Sequence, residues 1–92
     1  MPVKTTTSEV IYPVEIHLKV IMFSDAGDEK NISDLNLILE KFSIPLKKDW
    51  TVSKSSAGNY RCYTGKVYIE SKELMYALFA ELNQHPNVKF AI

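Results

Sequence analysis

From Val14 to Phe23 the chain alternates in the manner of a strand with one buried face. Val14, Ile16, Leu18, Val20 and Met22 share one parity, and Glu15, His17 and Lys19 share the other. Ile21 and Phe23 add apolar side chains to the second parity, so the far end of that face is expected to be partly covered. The polar stretch Ser24 to Lys30 predicts a loop. Asn31 or Ser33 is placed to cap the helix that follows, with Asp34 near the positive end of its dipole. Leu35, Ile38, Leu39 and Phe42 recur at i, i+3, i+4 and i+7, the apolar stripe of an α-helix. Pro45 would cost that helix a hydrogen bond, so it is expected to end by about Ser43.

Trp50 to Ser55 predicts a second strand, Ser56-Ala57-Gly58-Asn59 a turn, and Tyr60 to Ile69 a long third strand. By parity Tyr63, Gly65, Val67 and Ile69 face the core, while Tyr60, Cys62, Thr64, Lys66 and Tyr68 face away. Ser71 is placed to cap a second helix, with Glu73 in its first turn and an apolar stripe of Leu74, Met75, Leu78, Phe79 and Leu82. His85-Pro86-Asn87 breaks it, and Val88, Phe90 and Ile92 alternate in a short final strand. The order β-α-β-β-α-β implies an α+β, ferredoxin-like sandwich: a four-stranded antiparallel sheet with two helices on one face and nothing on the other.

Residues 1–11 are polar and without period, which predicts a flexible N-terminal tail before a single domain at 12–92. A hydrophobic content of 46% is too high for a disordered chain and fits one small globular domain. No apolar run reaches the ~18–20 residues of a membrane span, and the N-terminus has no signal-peptide core. With Cys62 as the single cysteine, no internal disulfide can form. Together these features predict a cytoplasmic protein. Eleven basic residues balance eleven acidic ones. That balance argues against non-specific nucleic-acid binding, which draws on a surplus of Lys and Arg.

Three stretches combine into a family pattern: Tyr12-Pro13 followed by Lys19-Val20-Ile21; Ser55-Ser56-Ala57-Gly58-Asn59-Tyr60; and His85-Pro86-Asn87-Val88-Lys89 beyond a helix carrying Leu78-Phe79-Ala80-Glu81-Leu82. Over residues 12–92 the chain resembles the YbeD-like family of small bacterial proteins of uncharacterised function. It departs from the pattern at Met22-Phe23, where a glycine is usual, and at Gly65-Lys66, where strand formers are usual. The resemblance implies the same βαββαβ sandwich, close in shape to the amino-acid-sensing ACT regulatory domains. Such domains often pair edge to edge and bind small molecules between subunits, which raises a homodimer by analogy.

The candidate chemistry is sparse. Cys62 and His17 offer the sole Cys/His pairing, on neighbouring strands and one open face, but a half-buried structural cysteine is the simpler reading. His17 and His85 lie on distant elements and one cysteine cannot build a structural zinc site, so no metal or other cofactor is expected. Asp25, Asp28 and Glu29 around Gly27 lack the ligand spacing of a calcium loop and read as a solvated acidic turn. Lys54, Ser55, Ser56, Gly58, Asn59 and Tyr60 form a candidate anion cradle, to be weighed against an ordinary hairpin closure. The open sheet face, with His17, Lys19, Tyr60, Lys66 and Tyr68, is the broader candidate binding surface. These residues predict a noncatalytic regulatory or interaction module for a protein partner or small ligand. The alternative is a nucleic-acid-binding module using the same face, since aromatic residues interleaved with cations on a bare sheet can stack bases. Against it, the third strand lacks the corresponding RNA-recognition signature.

Overall fold

The alternation at the start of the chain becomes strand β1 (Val14–Phe23), whose Leu18, Val20 and Met22 are fully buried. The structure, a computed structural model, describes residues 11–54 and 58–92. The expected tail therefore lies, apart from Ile11, outside the described residues, as do Ser55 and Ser56. A short 3-10 turn (Ser24–Ala26) leads into helix α1 (Asp28–Lys41), followed by the hairpin β2 (Leu46–Lys54) and β3 (Tyr60–Ile69), helix α2 (Lys72–Gln84) and strand β4 (Val88–Ala91). The sheet order is β2-β3-β1-β4, with every neighbouring pair antiparallel. This is the βαββαβ sandwich that the order of patterns implied.

The parity of the two central strands holds residue by residue. Val14 stands opposite Ile69, Leu18 opposite Gly65, and Val20 opposite Tyr63. This face joins Leu35, Ile38 and Leu39 of α1 and Leu78 and Leu82 of α2 in one core, with Phe42, Leu74, Met75 and Phe79 packed around its margin. Ser71 caps α2 as expected, its hydroxyl accepting a hydrogen bond from the Leu74 amide at 3.1 Å.

Helix α1 differs from the expectation at its start. It begins at Asp28, three residues before Asn31, after Gly27 at φ 89°. Neither Asn31 nor Ser33 caps it. Asn31 is inside the helix and fully buried, its amide nitrogen donating to the Phe23 carbonyl at 3.0 Å and to the Tyr63 hydroxyl at 3.1 Å. Its side-chain oxygen accepts from the Asn87 amide at 3.2 Å. Tyr63 in turn donates to Asp28 at 2.7 Å, and Arg61 pairs with the same carboxylate at 3.3 Å. A buried polar group needs partners, and this network supplies them while tying together the end of β1, the start of α1, β3 and the turn before β4. Burial raises the pKa of Tyr63, and the hydrogen bond to Asp28 acts in the same direction, against the bond from Asn31.

Strand β2 starts four residues before the expected Trp50. Its Leu46, Lys47, Lys48, Asp49 stretch is charged, as suits a sheet edge, and its pairing with β3 is irregular at two places. Only Leu46 and Trp50 turn even partly inward, so no alternation marks the strand in the sequence. Trp50 lies over Gly65, where the Cβ of any larger residue would stand 2.8 Å from indole Cε3 and 3.1 Å from Leu46 Cδ1. The indole N–H donates to Asn36 of α1 at 2.9 Å, anchoring it against sideways movement. Gly65→Ala should therefore destabilise the fold by about 1–3 kcal/mol through overpacking. The check is the urea midpoint of Gly65→Ala in the wild-type and Trp50→Leu backgrounds, with a smaller loss expected in the second.

Strand β4 also departs from simple alternation. Ile21 pairs with Phe90 and Met22 with Val88, leaving Lys89 as the extra residue of a bulge. Val88 and Ala91 are consequently buried, while Phe90 and Ile92 are exposed.

Candidate functional site

Both helices lie on one side of the sheet, so the residues of the opposite parity remain open. Along the centre of that face Glu15 stands opposite Tyr68, His17 opposite Lys66, Lys19 opposite Thr64, Ile21 opposite Cys62, and Phe23 opposite Tyr60. The sheet thus brings His17, Lys19, Tyr60, Lys66 and Tyr68 onto one surface, as their parity implied.

The surface has two unlike ends. Around His17 it is polar: Lys66 pairs with Glu15 at 3.3 Å, and the Lys47 ammonium lies 6.0 Å from the centre of the Tyr68 ring. A shallow depression of about 100 Å³ here is lined by His17, Thr64, Lys66 and residues of β2. The other end is apolar. Phe23 and Tyr60 form a tilted aromatic pair with centroids 5.4 Å apart, and the Lys89 ammonium sits 5.3 Å over the Tyr60 ring. Ile21, Tyr60, Cys62 and Phe90 line an open cavity of about 260 Å³, bordered by Lys54, Arg61 and Lys89. Phe90 is 43% and Ile92 64% exposed on this face.

Phe90, Lys89 and Arg61 line this cavity although the sequence does not place them among the candidate binding residues. The bulge turns Phe90 to the face opposite Val88, and period-two reading cannot see a bulge. Ile21 and Phe23 do carry a signal, as apolar residues on the polar parity of β1. The expected covering of that end is partial: Ile21 is half-buried, and Phe23 is exposed.

Catalytic geometry does not assemble around Cys62. His17 is four residues along the strands from the Ile21–Cys62 pair, a separation of roughly 13 Å at the rise of a β-strand. The nearest polar partner of the thiol is the Thr64 hydroxyl at 3.9 Å. His85 is engaged elsewhere: its Nδ1 accepts from the Asn87 amide at 3.0 Å and its Nε2 lies 3.3 Å from Asp34. Among the described residues no cluster of three or more His, Cys, Asp or Glu is grouped to hold a metal ion. At the hairpin tip, Gly58 has φ 81°, and the Gly58 and Asn59 carbonyls accept from the Ser24 hydroxyl (2.9 Å) and amide (3.0 Å). The described part of the candidate cradle thus docks onto the end of β1, while Ser55 and Ser56 lie outside the described residues.

Residues 7–92 match the family described as proteins of unknown function, DUF493. The chain belongs to the DUF493 family. This is the YbeD-like family whose pattern the Tyr12-Pro13, Ser55-to-Tyr60 and His85-to-Lys89 stretches resemble. No curated protein matches the chain. Among solved structures, protein HP0495 from H. pylori is similar at 18% identity with a TM-score of 0.74, covering 100% of this chain and 94% of that one. The C-terminal domain of the MgtC protein from Mycobacterium tuberculosis is similar at 16% identity with a TM-score of 0.67, covering 91% and 88%. At such identities the likeness is one of fold. Among the described residues of this DUF493 protein, no helix is long and apolar enough to cross a membrane.

Proposed function

We propose that this DUF493 protein is a noncatalytic, cytoplasmic regulatory or interaction module that engages a protein partner or small ligand through the open face of its sheet. The observation that carries the reading is the aromatic and apolar end of that face, where Phe23 and Phe90 stand exposed near Tyr60. Aromatic side chains backed by a rigid sheet make contact area at small entropic cost, and they commonly dominate binding energy. Lys19, Lys66 and Tyr68 extend the surface toward its polar end. The ACT-like shape that the family resemblance implies points to a regulatory role by analogy alone, since fold does not fix function.

The test is amide chemical-shift mapping with a partner recovered from native cell extract, using wild-type protein and the Tyr60→Ala and Tyr68→Ala variants. Shifts are expected along β1, β3 and β4 on the open face. Truncating a contacting tyrosine should weaken binding by about 1–2 kcal/mol, with a smaller change in fold stability. Perturbed amides along the outer sides of α1 and α2, with normal binding by both tyrosine variants, would show that the surface is misassigned. A partner that proves to be RNA, bound with a steep salt dependence, would favour the nucleic-acid alternative.

A further inference from the structure

We infer that the cavity at the apolar end of the sheet is a site for a small organic anion with an apolar body, an aryl or alkyl carboxylate. The inference rests on the reading of the open face as a binding surface and names the ligand class for one end of it.

Two features point the same way. The floor, made by Ile21, Cys62 and Phe90 with the Tyr60 ring as a wall, is almost wholly apolar. Water over such a floor is readily displaced by an apolar group. Three cationic residues, Lys54, Arg61 and Lys89, border it. Lys54 and Lys89 have no carboxylate partner among the described residues, whereas Arg61 is already paired with Asp28. Lys89 reaches the rim because it is the extra residue of the β4 bulge, which places its ammonium over Tyr60 beside the cavity. A neutral apolar ligand would fill the floor and gain nothing from the lysines that border it. An inorganic anion would meet the ammonium groups and leave the floor in water. A carboxylate on a hydrocarbon or aromatic body satisfies both.

Size narrows the class. At about 260 Å³ the cavity lies just below the ~300–1,000 Å³ typical of pockets for drug-sized ligands, so its occupant is a fragment-sized molecule. Both rim cations without a carboxylate are flexible lysines, which adapt to the position of the anion but do not fix it as a bidentate arginine would.

The experiment titrates the full chain with 4-phenylbutyrate and, separately, with its uncharged counterpart 4-phenylbutyramide, following amide shifts. It is repeated on the Lys54→Gln/Lys89→Gln variant, whose substituted side chains are both exposed and outside the core. Saturable shifts at Ile21, Cys62 and Phe90 are expected, with the acid bound about threefold to tenfold more tightly than the amide, the size that two partly exposed charge pairs supply. That preference should vanish in the double variant. Equal affinity for acid and amide in the wild type would overturn the inference. So would shifts confined to the His17–Tyr68 end, or no saturation by about 10 mM, weaker than the millimolar binding that a fragment site provides. Shifts at the same amides that depend on protein concentration without probe would also overturn it, assigning the cavity to a contact with a second copy. If the cavity fails while an extract-derived partner still maps to the open face, this inference falls alone; if neither binds there, both fall.

Discussion

Leu78→Ala should lower the free energy of unfolding by about 2–5 kcal/mol, the range for deleting a fully buried leucine side chain. Leu78 has no exposed surface and lies on α2 where the helix meets the sheet, in one core with Leu82, Leu18 and Val67. Part of the loss is the transfer free energy of the removed methyl and methylene groups. The rest is the cavity left behind, because β1 and β3 are held by a ten-residue antiparallel register and cannot close inward onto the helix. Urea unfolding of the wild type, Leu78→Ala and Tyr76→Ala checks this. Tyr76 is on the same helix but 64% exposed, so its truncation should move stability by no more than about 0.5 kcal/mol. Equal losses in the two variants would mean that α2 does not bury the stripe containing Leu78.

The contrast between those two positions reflects what a sequence discloses. Leu74, Leu78 and Leu82 repeat on one side of a helix, and a helix with such a stripe must cover it. The same holds for Leu18, Val20 and Met22, where alternation decides which side of the strand is buried. Period and parity together therefore carry most of this fold, including which residues of β1 and β3 share the open face. They carry little of β2, because an edge strand with one inward tryptophan and a run of Lys47, Lys48 and Asp49 has no period to read. Neither do they carry the apolar cavity, which depends on a bulge in β4 that moves Phe90 onto the face of Ile21 and lifts Lys89 to the rim. A single extra residue reverses parity for everything after it. Asn31 is legible as a polar residue near a helix start, but its role is not, since its partners Phe23, Tyr63 and Asn87 lie 8, 32 and 56 residues away.

That long-range network leads to the second large effect expected. Asn31→Leu puts an apolar side chain with the same number of heavy atoms in the same buried place, so little of its cost comes from an empty cavity. It removes both amide donors and the acceptor, leaving the Phe23 carbonyl and the Asn87 side-chain amide without their partner inside the fold. Groups stripped of partners where water reaches them poorly cost about 1–3 kcal/mol each, so a total loss near 2–5 kcal/mol is expected. Tyr63→Phe should cost less, because it also removes the hydroxyl that needs satisfying. The two changes should not add, since the amide and the hydroxyl bond to each other at 3.1 Å. A double-mutant cycle by urea unfolding measures that coupling, and a coupling of zero would mean that the two side chains act independently. Alkaline titration supplies a separate reading of the same network. Burial raises the Tyr63 pKa in the folded chain above its ordinary value of about 10, so the folded state holds this proton after the unfolded state has released it. The resulting contribution to stability is complete below about pH 10 and declines as the pH rises from there through the folded-state value. In Tyr63→Phe that share of the alkaline decline should disappear. If the variant and the wild type lose stability in parallel above pH 10, the phenol is not held neutral by its burial beside Asp28, and the network does not act as described.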